Sequence, residues 1–304
     1  MNPRLKSIVL KILPRPFLKR LTGVWNSYNL RKSRQAREAF ESEGESNAWL
    51  GWDDLERLFQ QYPFPEKYRY DPETVSKRGR ERAAEVMSVL GRRSVGMKSL
   101  ELGALDAQAS FFLQKRGFLA TAIDITDSHF ADIVRDAGVS LRVMDAEKLD
   151  FPDNSFDLVF SYNAFEHFDD PAAALSEALR VLRPGGFLYV NFGPLYGSPM
   201  GLHGHESIPI PYCQFLWTRD VLERFCREKD LGTIEFDTIN MWPASRFRDL
   251  WKLHGDRLKT VRYFERLDCY GHELIEKYPA CFRGKVSEFD DLIVSAIEAL
   301  WRRL

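Results

Sequence analysis

The feature that most constrains the fold is a change of rhythm at about residue 96. From there, apolar runs of four to seven residues alternate with stretches of helical periodicity. This alternation is typical of a parallel sheet whose strands are joined by crossover helices, and it predicts a doubly wound α/β domain. The predicted strands cover 98–102, 119–124, 140–143, 156–162, 185–192 and 233–239, and the predicted helices cover about 107–116, 128–137, 171–182 and 218–229.

Three regions follow from this pattern. Residues 1–92 are an N-terminal basic and helical extension, and residues 93–242 form the core. Within the core, the loop 193–217 is long and rich in glycine and apolar residues, and we predict that it is a lid or a substrate wall. We interpret 243–304 as a helical cap over 243–283, followed at 292–302 by a final sheet-closing antiparallel strand or, as the alternative, a terminal amphipathic helix.

Charge is distributed unevenly along the chain. The formal net charge is only -1, which argues against a general nucleic-acid-binding protein. Residues 1–38, however, contain ten Lys or Arg and one acidic residue, Glu38. Within this arm, residues 4–25 carry apolar and aromatic residues at helical spacing, so we expect peripheral membrane contact or, alternatively, a helix docked on the protein itself. No run of about 18 apolar residues and no clean signal peptide is present, and we expect a cytoplasmic protein.

Two strand ends predict a nucleotide site. Gly103 follows the first strand directly, where a glycine allows a tight turn and a close approach to a ligand. Asp124 ends the second strand, 23 residues after Glu101. An acidic residue at this spacing is the ribose ligand of nucleotide-binding α/β folds, because a carboxylate accepts two hydrogen bonds from a vicinal diol.

Several motifs further along carry a specific resemblance. An aspartate–alanine pair, Asp145-Ala146, precedes a Ser-Phe-Asp segment that opens the fourth strand, and a Glu-His pair follows that strand. Before the fifth strand the chain reads Arg-Val-Leu-Arg-Pro-Gly-Gly at 180–186. Over about 99–192 the chain resembles class I S-adenosylmethionine-dependent methyltransferases, in particular the small-molecule group that includes ubiquinone and menaquinone methyltransferases. The resemblance implies a Rossmann-like, seven-stranded methyltransferase sheet and S-adenosyl-L-methionine as the cofactor.

The resemblance also implies roles for individual residues. Asp124 matches the ribose ligand, and Asp145 matches the acid that faces the adenine amino group, with the Ala146 N–H toward a ring nitrogen. The remaining matched positions lie near the methionine end of the cofactor; they are Glu101, Gly103, Asp106 and Ser161.

One departure from the family pattern lies in the first loop. Members usually read Glu-x-Gly-x-Gly-x-Gly, whereas here Leu105 and Ala107 replace the second and third glycines. Leu105 therefore brings a side chain to a place where backbone and cofactor are normally close. This departure leaves open a non-catalytic binding module that keeps the fold, although the other motif positions favour an active enzyme.

The lid supplies the candidate catalytic residues, His203 and His205. Histidine is a suitable base near neutral pH for methylation of a hydroxyl of high pKa. If the segment is extended, two residues that are two positions apart point to opposite faces, and only one is then expected to reach the site. The alternatives are structural hydrogen bonding within the lid and a histidine pair that binds a metal, although no metal site is predicted, since no cysteine spacing resembles one.

The function predicted from these observations is O-methylation of a small molecule, with a sugar or glycolipid precursor of surface polysaccharide as the favoured substrate. The basic arm supports this choice, because it could hold the enzyme near membrane-bound substrates. The first alternative is a quinone or lipid methyltransferase.

Overall fold

A computed structural model describes residues 26–90 and 95–304. Residues 26–32 are helical, and three further helices precede the sheet in the described part of the chain. The strands then alternate with helices as far as Phe192, except that no helix lies between β3 and β4. The helices are α1 (Arg34–Ser42), α2 (Trp52–Phe59), α3 (Pro72–Leu90), α4 (Gln108–Gln114), α5 (Asp132–Asp136), α6 (Pro171–Val181), α7 (Cys213–Leu216), α8 (Arg219–Glu228), α9 (Ala244–Leu253), α10 (Glu273–Lys277) and α11 (Asp290–Ile293). The strands are β1 (Lys98–Leu102), β2 (Leu119–Asp124), β3 (Ser140–Val143), β4 (Phe156–Tyr162), β5 (Leu182–Phe192), β6 (Leu258–Leu267) and β7 (Val294–Arg303).

The seven strands form one sheet in the order β3-β2-β1-β4-β5-β7-β6. Neighbouring strands among β1 to β5 are parallel, and β7 is antiparallel to both β5 and β6. The predicted α/β, Rossmann-like sheet of seven strands is confirmed. The strand order reverses direction between β1 and β4, so their carboxyl ends open the crevice in which such folds bind ligands.

Helices cover both faces of the sheet. Along β4, Val159 packs on one face with α6 and α9, whereas Leu158 and Phe160 pack on the other face with α3 and α4. All seven residues of β4 are buried, as expected for a central parallel strand. Helix α6 begins as its sequence predicts, because the Asp170 side chain accepts hydrogen bonds from the N–H groups of Ala172 and Ala173.

Two expectations about the second half of the chain are wrong in detail. Residues 233–239 form no strand and contain only a 3₁₀ turn, Phe236–Thr238. Their alternating pattern reflects a segment with one buried side, on which Ile234 packs against Gly204. The position beside β5 in the sheet is taken by β7. The region 243–283 is not entirely helical either, since β6 lies within it and pairs with β7. The second alternative for 292–302, a terminal helix, is excluded because β7 spans Val294–Arg303.

The part of the chain that the structure describes contains no helix long and apolar enough to cross a membrane. The predicted membrane-contact segment, 4–25, lies outside the described residues. The division of the chain at residues 92 and 242 stays a prediction.

Candidate active site

A cavity of about 880 Å³ opens at the carboxyl ends of the strands. Its walls include the turn after β1, the ends of β2 and β4, and the loops that follow β3 and β5. The lid contributes Pro194 and residues 202–207, and the N-terminal extension contributes Tyr68, Tyr70 and Arg82. This volume lies at the upper end of the range for small-molecule sites.

The loop after β1 forms the floor of one half of the cavity. Gly103 lines the cavity at φ +63°, and a Cβ placed on it would lie 2.5 Å from the Cβ of Ala164. A glycine is therefore needed where this loop touches the turn after β4. Leu105 and Ala107, which replace the expected glycines, also adopt left-handed backbone, with φ of 51° and 54°. The loop thus adopts positive φ at both positions in spite of their side chains.

Three of the predicted cofactor-binding residues line the cavity beside this loop. Asp124 Oδ2 accepts a hydrogen bond from the Leu105 N–H at 2.8 Å, and Asp145 Oδ1 accepts one from the Glu147 N–H at 2.8 Å. Among the described residues, the second oxygen of each carboxylate has no hydrogen-bond partner and remains available to a ligand. Ala146 also lines the cavity and is buried.

The other three predicted residues lie behind the cavity surface. Glu101 is buried and accepts hydrogen bonds at Oε2 from both the N–H and the hydroxyl of Ser110; burial raises its pKa to about 7. Asp106 caps Gln108 through the N–H at 2.9 Å, and Ser161 donates to the Leu102 carbonyl at 2.9 Å. None of the three lines the cavity. Each of the three side chains makes a hydrogen bond within the protein. Direct contact between these residues and the cofactor stays a prediction.

Both lid histidines line the cavity, contrary to the expectation for an extended segment. His203 has a φ of 59°, so the chain turns there and the alternation of faces is lost. His203 Nε2 donates to the Pro194 carbonyl at 2.8 Å, and burial lowers its pKa to about 4. His205 differs, because its Nδ1 is buried without a hydrogen-bond partner among the described residues. Of the two, His205 is therefore the one with a buried nitrogen that no described residue contacts by a hydrogen bond.

Glu166 is a cavity residue to which the sequence assigned no role beyond the Glu-His pair. It is only 1% exposed, and its Oε1 accepts a hydrogen bond from the Gly193 N–H at 2.9 Å. Its Oε2 is buried in the described part of the protein without a partner. Burial raises the pKa of Glu166, and the neighbouring His167 acts in the opposite direction. His167 itself lies against His203, with ring centroids 5.1 Å apart.

Part of this chain is similar to known proteins. Residues 100–190 match the model of a family described as a methyltransferase domain. The chain is 37% identical over 106 residues to the ubiquinone/menaquinone biosynthesis C-methyltransferase UbiE of Shewanella piezotolerans, covering 31% of this chain and 42% of that protein. It is 37% identical over 100 residues, 31% of each chain, to the 2-methyl-6-phytyl-1,4-hydroquinone methyltransferase of Synechocystis.

A third relative is the 27-O-demethylrifamycin SV methyltransferase of Amycolatopsis mediterranei, which is 40% identical over 67 residues. That match covers 22% of this chain and 25% of the relative. The chain spans less than half the length of each of these three curated relatives. The family model ends at residue 190, before the lid begins.

Proposed function

Because residues 100–190 form a methyltransferase domain, we propose that this protein is an S-adenosylmethionine-dependent methyltransferase that methylates an oxygen of a small molecule. The observation that carries the proposal is a single cavity with two kinds of unused polar group. Asp124 and Asp145 offer free carboxylate oxygens on the cofactor side. Glu166 and His205 also line the cavity, and Glu166 Oε2 and His205 Nδ1 are buried without a hydrogen-bond partner among the described residues.

The cofactor side fits S-adenosylmethionine, which is the cofactor of this family and supplies a methyl group activated by its sulfonium. Asp124 would hold the ribose hydroxyls. Its Oδ2 already accepts the hydrogen bond that fixes the loop, and its other carboxylate oxygen can accept a hydrogen bond from the ribose. Asp145 and the Ala146 N–H would hold the adenine. Because Gly103 has no side chain, the loop can lie against Ala164, and this position leaves room for the methionine end of the cofactor.

The acceptor side suits a hydroxyl group. A hydroxyl donates one hydrogen bond, and Glu166 Oε2 and His205 Nδ1 are both able to accept it. If the hydroxyl oxygen took the methyl group, the S–CH₃ bond of the sulfonium would break and leave a neutral thioether, and the hydroxyl proton would pass to one of these acceptors. His203 is less suited to this role, because Nε2 is committed to Pro194 and a pKa of about 4 makes it a weak base. We propose His205 as the base and Glu166 as the group that orients the acceptor.

The finer assignment is a sugar or glycolipid acceptor of surface-polysaccharide synthesis, methylated by a cytoplasmic enzyme that contacts the inner face of the membrane. The basic, apolar arm at 4–25 supports this proposal. A second candidate is a quinone or other lipid acceptor, which is favoured by the two quinone-pathway relatives.

The experiment combines calorimetry with a labelling assay. We expect binding of S-adenosylhomocysteine by the folded protein, and transfer of a labelled methyl group from S-adenosylmethionine to a component of a bacterial extract. Label in a sugar-containing product supports the polysaccharide assignment, and label in a quinone supports the second candidate. Absence of binding at millimolar cofactor, with the fold intact, would show a non-catalytic module instead.

Site variants test the acceptor roles. We expect His205→Gln to lower turnover by about 10²–10⁴-fold, the usual contribution of a proton acceptor, while the affinity for S-adenosylhomocysteine changes by less than about threefold. We expect Glu166→Gln to lower turnover by a smaller factor, because Glu166 orients the acceptor without taking its proton. His129→Gln is the matched control, because His129 is exposed and lies outside the cavity. Full turnover by His205→Gln would remove that histidine from the proposed mechanism.

A further inference from the structure

Arg82 is a cationic side chain in the cavity wall that has no ion-pair partner among the described residues. It is half-buried, and its guanidinium carbon lies 5.1 Å from the centre of the Tyr162 ring. Other arginines of this protein pair with carboxylates, for example Arg180 with Glu177 at 2.8 Å. An unpaired guanidinium that faces a cavity is costly to desolvate unless a ligand pairs with it.

The position of Arg82 is fixed by contacts of helix α3. A Cβ on Gly79 would lie 2.3 Å from the Cβ of Gln108, so α3 touches the first residue of α4 at that point. One turn later, Tyr162 Oη donates to the Arg82 carbonyl at 3.0 Å and ties α3 to the end of β4. Arg82 is therefore held between the loop after β1 and the end of β4, where the first and fourth strands meet.

Three acidic side chains lie within electrostatic range of this guanidinium. Burial raises the pKa of Glu101, Asp106 and Glu166, and the charge of Arg82 acts in the opposite direction on all three. An anionic ligand would be repelled by these acids, and a cationic ligand would be repelled by Arg82. A zwitterion, with a carboxylate beside an ammonium group, suits both sets of charges.

We propose that Arg82 binds the carboxylate of the amino-acid end of the cofactor. Arg82 lies outside residues 100–190, so the N-terminal extension would supply this contact, and not the segment that matches the family model. The planar guanidinium can donate two parallel N–H groups to one carboxylate, which fixes the ligand's orientation as well as its affinity. The assignment rests on the proposed function, because it requires that the cavity binds S-adenosylmethionine.

Two ligands that differ at the amino-acid end test this assignment by calorimetry. S-adenosylhomocysteine carries the carboxylate, whereas 5′-methylthioadenosine lacks it. We expect Arg82→Gln to weaken S-adenosylhomocysteine binding by about 10- to 100-fold, the usual effect of losing a charge-assisted pair, and to change 5′-methylthioadenosine binding by less than about twofold. Arg82→Lys should recover part of the loss, because it keeps the charge but loses the paired donors.

Arg80→Gln is the control, because Arg80 lies on the same helix and is exposed. It should bind both ligands as the wild type does, and thermal melting of all variants checks that the fold is intact. Unchanged S-adenosylhomocysteine binding by Arg82→Gln would overturn the assignment, and so would an equal loss for both ligands. A wild-type protein that binds neither ligand would instead contradict the proposed methyltransferase function itself.

Discussion

The backbone N–H of Leu105, in the loop after β1, donates a hydrogen bond at 2.8 Å to Oδ2 of Asp124 at the end of the neighbouring strand β2. One oxygen of this carboxylate is therefore used to hold the loop, and the other remains available to a ligand. Leu105 makes this contact with a φ of 51°, in the left-handed region that normally favours glycine. The loop after β1 and Asp124, the proposed ribose-binding residue, thus hold each other in position.

The first prediction concerns Asp124. We expect Asp124→Ala to weaken S-adenosylhomocysteine binding by about 10- to 100-fold, because the variant loses both the proposed ribose contact and the acceptor that fixes the loop. Calorimetry measures the effect. Asp127→Ala is the control, since Asp127 is exposed and outside the cavity, and it should stay within about twofold of wild type. Equal effects of the two variants would argue against a specific role for Asp124.

The second prediction concerns the backbone strain at Leu105. We expect Leu105→Gly to be more stable than Leu105→Ala by about 1–2 kcal/mol, because only the alanine keeps the left-handed penalty. Both variants lose the same packing of the leucine beyond Cβ, so comparing them isolates the backbone term. At Ile133, in helix α5, the order should reverse, with alanine more stable than glycine by about 1 kcal/mol. Urea unfolding of the four variants measures this, and the same order at both sites would contradict it.

The third prediction concerns the pH dependence that arises from His203. Its pKa is about 4 in the folded protein, and about 6.5 is the ordinary value expected in the unfolded chain. The unfolded state therefore binds more protons between these values, and the stability associated with neutral His203 is lost as the pH falls from about 6.5 to 4. The free-energy difference between wild type and His203→Gln should be constant above about pH 7 and should shrink below it. A difference that does not change over this range would contradict burial of a neutral histidine.

Glu101 should show the opposite slope. Burial raises its pKa to about 7, above the unfolded value of about 4.3, so the folded state binds more protons in that window. The stability that Glu101 contributes, relative to Glu101→Gln, is therefore lost as the pH rises from about 4.5 to 7. Denaturant unfolding of both proteins across this range measures the difference. A difference that grows with rising pH would contradict the raised pKa.

The last prediction concerns the contact that holds helix α3. We expect Gly79→Ala to destabilise the protein by about 1–3 kcal/mol, because the added Cβ would meet the Cβ and the backbone of Gln108 at 2.3 and 2.8 Å. The shift of α3 should also weaken S-adenosylhomocysteine binding if Arg82 contacts the cofactor. Gly44→Ala is the control, since a Cβ added at Gly44 would meet no described atom within 4 Å. A stabilising effect at Gly79, as helix propensity alone would give, would contradict the close contact.

The sequence by itself determined the elements that depend on local pattern. The predicted bounds of β1 to β4 agree with the structure, because each strand is a short apolar run closed by turn residues. The residues at the ends of β1, β2 and β3, such as Gly103, Asp124 and Asp145, could be placed for the same reason. In parallel strands the carboxyl ends meet at one edge, so their neighbourhood follows from the fold class.

Only the tertiary structure decided the remainder. The partner of β6 is β7, about 30 residues later, and local periodicity carries no information about pairing over that distance. His203 and His205 share the cavity because of one left-handed residue, which alternation along an extended chain does not predict. Arg82 is one of several arginines on a polar helix, and nothing in its local sequence sets it apart. Its place in the cavity follows from the contact of Gly79 with Gln108 and the hydrogen bond from Tyr162, which exist only after the helix has packed on the sheet.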